Sequence, residues 1–209
     1  MKSPIQQKNV LLEGNKPLTP KQKKLFKYFG VESQIKAPYR ILNPHRISVG
    51  DKTSIQEYSH INAFEDLSFL MEYLDPKYKK YFHARQYRYK SSIEIERECQ
   101  IGRFFFATCT RRIVIHRNVL ISERVFVGDN NHTYAHPEVP IMQQPNSTGE
   151  PVELGQGSWI GVGAALLKGT RIGKNSVVGA NSVVQGVFPG HSVLASEKAR
   201  LLFRRSKRG

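Results

Sequence analysis

The sequence lacks any apolar run approaching the roughly 20 residues that a helix needs to cross a bilayer, so no membrane span is expected. It has two cysteines, Cys99 and Cys109, with neither a CxxC nor a zinc-ligand spacing. They read as free, packed thiols of a reducing compartment. The first sixteen residues hold no apolar stretch of the kind that marks a secretory signal, so a cytoplasmic location is the expectation. No glycine-rich phosphate loop of the Walker type is present. Acidic residues are scarce: 17 Asp and Glu against 32 Lys and Arg, a net charge of +15. Such an excess favours anionic partners, among them phosphate-bearing cofactors, a membrane surface or nucleic acid. A solvated basic surface is the plain alternative. Hydrophobic residues make up 39% of the chain, which excludes a disordered protein.

A short internal repeat is present. Leu154, Ile160, Leu166, Ile172, Val178 and Val184 stand six residues apart and are all aliphatic. Glycine follows four of them, at Gly155, Gly161, Gly173 and Gly179. The position four residues on is small at Ser158, Ala164, Thr170, Ser176 and Ser182, with Phe188 the exception. A period of six fits neither an α-helix nor a coiled coil. It fits a parallel β-helix, in which each hexad is one short strand and one tight turn. The frame recurs at Val49, Ile55 and Ile61, at Ile95 and Ile101, and at Ile115, Ile121 and Val127. The step from Ile101 to Ile115 is two residues longer than two hexads, which predicts a widened turn.

The expected fold class is therefore mainly β: a parallel β-helix over 49–189, interrupted by insertions at 62–92 and 128–153. An N-terminal cap occupies 1–48 and a basic segment 190–209. Insertions leave a solenoid as loops or arms and often carry its function. In the cap, Thr19, Pro20 and Gln22 form a helix-start signature, with Leu25, Phe26 and Phe29 apolar and Gly30 as the stop. A second short helix is expected over 64–74. Residues 76–90 carry six cations, five aromatics and no acid, and the tail 203–208 is also basic. Both suit a lipid-linked acceptor or a peripheral contact at the inner face of a membrane, or simply a soluble basic arm.

The segment 125–200 resembles the hexapeptide-repeat acyltransferases, nearest to the sugar and polysaccharide O-acetyltransferases. The resemblance rests on Asp129-Asn130-Asn131-His132, Trp159-Ile160-Gly161, Lys168-Gly169, Ile172-Gly173 and the run from Val178 to Val184. Asn130 departs from the pattern, standing where that family has a first histidine. The resemblance implies a left-handed β-helix assembled as a homotrimer. It implies acetyl-CoA as co-substrate, with no permanently bound cofactor or metal, and a sugar or glycan acceptor. Nucleic acid is not the expected partner. The implied activity is acetyl transfer to a sugar hydroxyl in surface polysaccharide synthesis.

A sugar hydroxyl needs a general base near neutral pH, and histidine suits that role. His132 is the expected base, with Asp129 or Asn130 orienting its ring or forming a turn. His136 is the second candidate, with an exposed loop residue as its plain reading. Gly161 and Gly179 are expected to offer backbone N–H groups to an oxyanion, and Trp159 and Ala180 to line the donor cleft. Lys174, Lys198 and Arg200 are expected at the phosphates of coenzyme A. The alternatives are N-acetylation of an amino sugar nucleotide, a γ-carbonic-anhydrase-like metal enzyme using His116, His132 and His136, and a trimeric binding scaffold without catalysis.

Overall fold

The computed structural model describes residues 9–66, 70, 74–82 and 87–197. Short strands stack into three seven-stranded sheets that form the faces of a prism. Except for the N-terminal strand, each is paired in parallel with the coil above or below it. The first face carries Phe29, Val49, Ile95, Ile115, Leu154, Ile172 and Phe188 in register. The second carries Ile35, Ile55, Ile101, Ile121, Ile160, Val178 and Leu194. The third carries Ile41, Ile61, Ala107, Val127, Leu166 and Val184. All of these residues but Phe29, Phe188 and Leu194 are buried, and together they make one continuous core. Small residues close the inner corners: Ser158, Ala164, Thr170, Ser176 and Ser182 are all buried.

The prism is longer than the expected span 49–189. It begins at the strand Tyr28–Phe29 and ends at Val193–Leu194. Phe29, Ile35 and Ile41 already keep the six-residue frame, so the first coil lies inside the segment read as cap. Gly30 is accordingly a corner glycine and not a helix stop. A Cβ there would lie 2.4 Å from the backbone nitrogen of Asp51 in the next coil. The helix itself is short, Pro20–Lys23, with Thr19 and Gln22 forming the expected capping box. Leu18 and Phe26 seal the end of the core, and the strand Leu11–Gly14 pairs antiparallel with Tyr39–Leu42. That pairing covers the edge the first coil would otherwise expose.

Within a coil the spacing never changes: six residues from first to second face and six from second to third. All variation in length falls at the corner between the third and first faces. There the chain takes eight residues from Ala107 to Ile115, six from Leu166 to Ile172 and four from Val184 to Phe188. Phe188 is thus an inward residue of a shortened turn, not an odd member of the small-residue column. Both insertions leave from this same corner, between Ala63 and Ile93 and between Gly128 and Val152. The helix expected over 64–74 lies partly outside the described residues, and 64–66 are irregular. Pro76–Tyr81 forms a 3-10 helix started by Asp75, whose carboxylate accepts from the N–H of Lys77.

Candidate active site

The two insertions meet each other across the widened corner. Leu74 and Phe82 of the first bury against Val139 of the second, with Tyr78, Tyr81 and Tyr87 around them. Two hydrogen bonds fix the contact: the N–H of Asp75 donates to Oε1 of Gln143 at 2.8 Å, and the Tyr89 hydroxyl donates to the carbonyl of Asn146 at 2.5 Å. Burial, with Tyr87 and Asp66 nearby, holds the Tyr89 hydroxyl well above the usual phenol range, so it remains a donor. The satellite core thus joins the two loops into a pair of arms and offsets part of the entropy of ordering them.

The arms and the third face enclose a cavity of about 600 Å³. Its floor is an aromatic pair on neighbouring strands, Phe106 and Phe126, stacked at 5.7 Å with planes 14° apart. Phe64, Leu70, Tyr89 and Met142 continue the apolar wall. His132 stands on the wall as well, on a two-stranded ribbon. Asn131 and Thr133 flank it and are tied to Ser147 and Pro145, and His132 itself bridges Asn146. Backbone pairing on both sides therefore fixes where His132 sits. Its ring makes no hydrogen bond among the described residues. A ring placed this way is available to a bound molecule.

Asp129 does not orient that ring. It is fully buried beneath the widened corner. Its carboxylate accepts from the backbone N–H groups of Thr110, Arg111 and Arg112 at 2.7–2.8 Å, and from the Asn130 amide at 2.9 Å. Three successive amides converge on one carboxylate, which explains how an eight-residue turn closes without orphaned donors. Asn130 extends this network to Thr108 and lines the cavity. Cys109 donates its thiol to Asp129 at 3.2 Å, and burial beside that carboxylate pushes the thiol up far from reactivity. Cys99, also buried, is pushed up to about 11. His136 is a packing residue: its ring lies against Tyr81 and Phe82, and its backbone is pinned by Gln144.

The expected donor residues lie elsewhere on the prism. Trp159 is on the outside of the second face, 48% exposed, its indole donating to Ser122 at 3.0 Å. Gly161, Gly179 and Ala180 stack at the corner between the second and third faces. A Cβ on Gly161 would lie 2.7 Å from the nitrogen of Ala180. Neither glycine can offer its N–H to an oxyanion: Gly161 donates to the carbonyl of Val178 at 2.8 Å and Gly179 to that of Leu194 at 2.7 Å. Period-six glycine marks a ladder position, so its amide is already taken. The N–H of Ala180 has no acceptor among the described residues. Lys174 is exposed at the corner between the first and second faces. Lys198 and Arg200 lie outside the described residues. His116 is held by Glu96 at 3.0 Å and Glu153 at 2.8 Å on the first face. Within one chain His116, His132 and His136 therefore occupy three different places, and no group of three or more metal-ligating side chains is found among the described residues.

Sequence reading missed the aromatic floor. Phe106 and Phe126 each precede an inward residue, Ala107 and Val127, so they point outward in register. Two large aromatics at matching outward positions beside the two insertions were the available signal.

The model of the bacterial transferase hexapeptide repeat, six repeats long, matches residues 151–186. Those residues carry the hexapeptide repeat. The chain folds as the left-handed parallel β-helix. Among solved structures it is similar to a variant of AntD, an N-acyltransferase from Bacillus cereus crystallised with dTDP and coenzyme A. The two share 18% identity over 93% of this chain and 94% of that one, with a TM-score of 0.64. It is similar to the hexapeptide-repeat acetyltransferase VCA0836 from Vibrio cholerae, at 19% identity over 87% and 75% of the chains and a TM-score of 0.50. It is also similar to a maltose O-acetyltransferase from Clostridium difficile, at 19% identity over 83% and 67%, again with a TM-score of 0.50. No curated protein sequence matches the chain.

Proposed function

We propose that this protein is an acyltransferase that moves an acetyl group from acetyl-CoA to a sugar hydroxyl. The observation that carries the reading is the His132 cavity: an imidazole positioned by backbone pairing, free of partners among the described residues, over an aromatic floor. In the reaction His132 accepts the acceptor's hydroxyl proton as the oxygen attacks the thioester carbon. The tetrahedral intermediate then expels the thiolate of coenzyme A, which takes the proton back from the imidazolium. The stacked Phe106 and Phe126 offer an apolar surface to one face of a sugar ring, and Asn130 and Asn131 offer polar groups at its edge.

Trp159 and Ala180 lie on a different side of the prism from His132. The donor end and the acceptor end of one site therefore come from two copies of the chain, which supports the homotrimer. The basic arm, with Lys79, Lys80, Arg88 and Lys90 exposed, is suited to an acceptor carried at an anionic membrane surface, with the protein itself cytoplasmic.

A second reading, N-acylation of an amino sugar nucleotide, draws on the fuller structural likeness to AntD, some of whose structures hold dTDP-4-amino-4,6-dideoxyglucose. Both readings give His132 the same task. Release of coenzyme A from acetyl-CoA, measured against glycans and nucleotide-linked amino sugars, decides between them. Turnover with amino sugars alone would reject the hydroxyl acceptor. The absence of turnover with either class would reject the enzyme.

A further inference from the structure

A second recess, of about 510 Å³, opens on the third face beyond the His132 cavity. Tyr58, His60, Arg40, Glu13 and Asn15 line it. Tyr58 is 51% exposed and stacks on Phe104, 50% exposed, at 4.8 Å with planes 10° apart. Both residues have left-handed backbones, φ 62° and 57°. At the same corner other coils place Arg124, Gly163 or Asn181. A bulky aromatic is disfavoured in that conformation, and two rings left half in water bury little apolar area. The stack itself contributes about 0.5–1.5 kcal/mol, yet half of each ring remains exposed and open to a ligand.

The recess is joined to the His132 cavity by rings. His60 lies 6.0 Å from Phe106, and Phe106 lies 5.7 Å from Phe126, both of which floor that cavity. Its polar groups are of both kinds: Arg40 donates to Glu13 at 2.7 Å, and Asn15 and His60 stand beside them. Donors and acceptors around an aromatic face suit a sugar, which packs its C–H face on the ring and satisfies its hydroxyls at the edge. A diphosphate would instead require cations in excess, and Glu13 offsets Arg40 here.

We propose that the recess is a second sugar-binding subsite, which holds the neighbouring units of a glycan whose reactive ring lies at His132. The proposal rests on the reading of the His132 cavity as an acceptor site. Tyr58→Asn and Phe104→Asn remove the rings and keep a residue that tolerates the left-handed turn. Acetyl transfer is measured for a monosaccharide acceptor and for its short linear oligosaccharides. In the wild type, KM should fall with chain length. Each variant should raise the oligosaccharide KM by about tenfold, with the monosaccharide rate and the solution mass unchanged. A KM independent of length, or variants that treat the oligosaccharide as the wild type does, would overturn the subsite. A changed solution mass would assign the pair to a contact between copies and also overturn it. If no sugar of any length is acetylated, the acceptor reading is what fails. Calorimetry with the same oligosaccharides, wild type against Tyr58→Asn, then decides the recess by itself: binding lost in the variant supports it, and no binding rejects it.

Discussion

Between Leu154 and Val184 the chain repeats one six-residue unit without interruption, whereas between Ile61 and Val152 it leaves the prism twice and returns in register both times. The two regions share the same inward frame, but the buried inner corners that hold Ser158, Ala164, Thr170, Ser176 and Ser182 in the first hold Cys99, Phe105, Val119 and Val125 in the second. In chain length they differ at one edge only, the corner between the third and first faces. Each coil is held to its neighbours by a complete backbone ladder, so a loop inserted at a corner costs closure entropy but leaves the ladder intact. The regular region supplies a rigid wall. The interrupted region uses the one edge of variable length to build two arms and the cavity that holds His132.

If the regular region supports and the interrupted region acts, the sharpest way to break the comparison is His132→Ala. The expected result is a fall in kcat of about 10²- to 10⁴-fold, the usual contribution of a positioned base. Circular dichroism, melting temperature and coenzyme A binding should hardly move, because the ring makes no hydrogen bond among the described residues. Steady-state kinetics and calorimetry on one preparation check both halves. Near-normal turnover would mean that the cavity does not use its histidine.

A pair of buried substitutions sharpens the contrast. Ile160→Ala in the regular region leaves a void in the core and should cost about 2–5 kcal/mol of stability. Activity below the new melting transition should stay close to normal. Asp129→Asn acts on the interrupted region. Its carboxylate receives N–H groups on both oxygens, so an amide nitrogen must face a donor whichever way the side chain is turned. A loss of about 1–3 kcal/mol follows, smaller than for Ile160. Activity should fall with it, because Asn130 and the ribbon that carries His132 grow from this residue. Denaturant melts and kcat, measured together, separate the two. Equal effects of the variants on kcat at matched stability would remove Asp129 from the positioning of the site.

The ease of reading the two regions from sequence follows the same division. The frame from Leu154 to Val184 is legible because each inward residue is chosen by local packing alone. The first coil was legible too, through Phe29, Ile35 and Ile41, but Phe29-Gly30 imitates the end of a helix that starts with a true capping box at Thr19. His132 could be picked out by its motif. The role of Asp129 could not, since its partners, Thr110 to Arg112, belong to another coil and converge on it only after stacking. The ladder bonds of Gly161 and Gly179 were hidden for the same reason: a glycine that frees a turn and one that offers an amide look alike in sequence. Trp159 and His132 are separated by the prism itself, which a linear motif does not show.

The smallest expected effect concerns His116, which belongs to the regular wall although it sits between the two insertions in sequence. Partial burial lowers its proton affinity, but hydrogen bonds from its two ring nitrogens to Glu153 and Glu96, with the attraction of both carboxylates, outweigh this. The imidazole is held above its ordinary value of 6.5. Both ring nitrogens face carboxylates, so both must carry protons, and the charged form is the one the fold selects. For a group whose pKa is higher in the folded state, the extra stability is fully present below the unfolded value. It is lost as pH rises through the folded one. The stability of the wild type relative to His116→Gln should therefore be greatest below about pH 6.5. It should then decline as pH rises above that value, by no more than about 1 kcal/mol for so shallow a pair. Urea melts of the two proteins across that range measure the difference. Salt should shrink it at low pH by screening the carboxylates. Parallel curves would show that His116 is neutral in the fold and bonded to only one of its two partners. The acetyl-transfer rate should not follow this titration, since the Glu96–His116–Glu153 cluster lies on the first face, away from the arms.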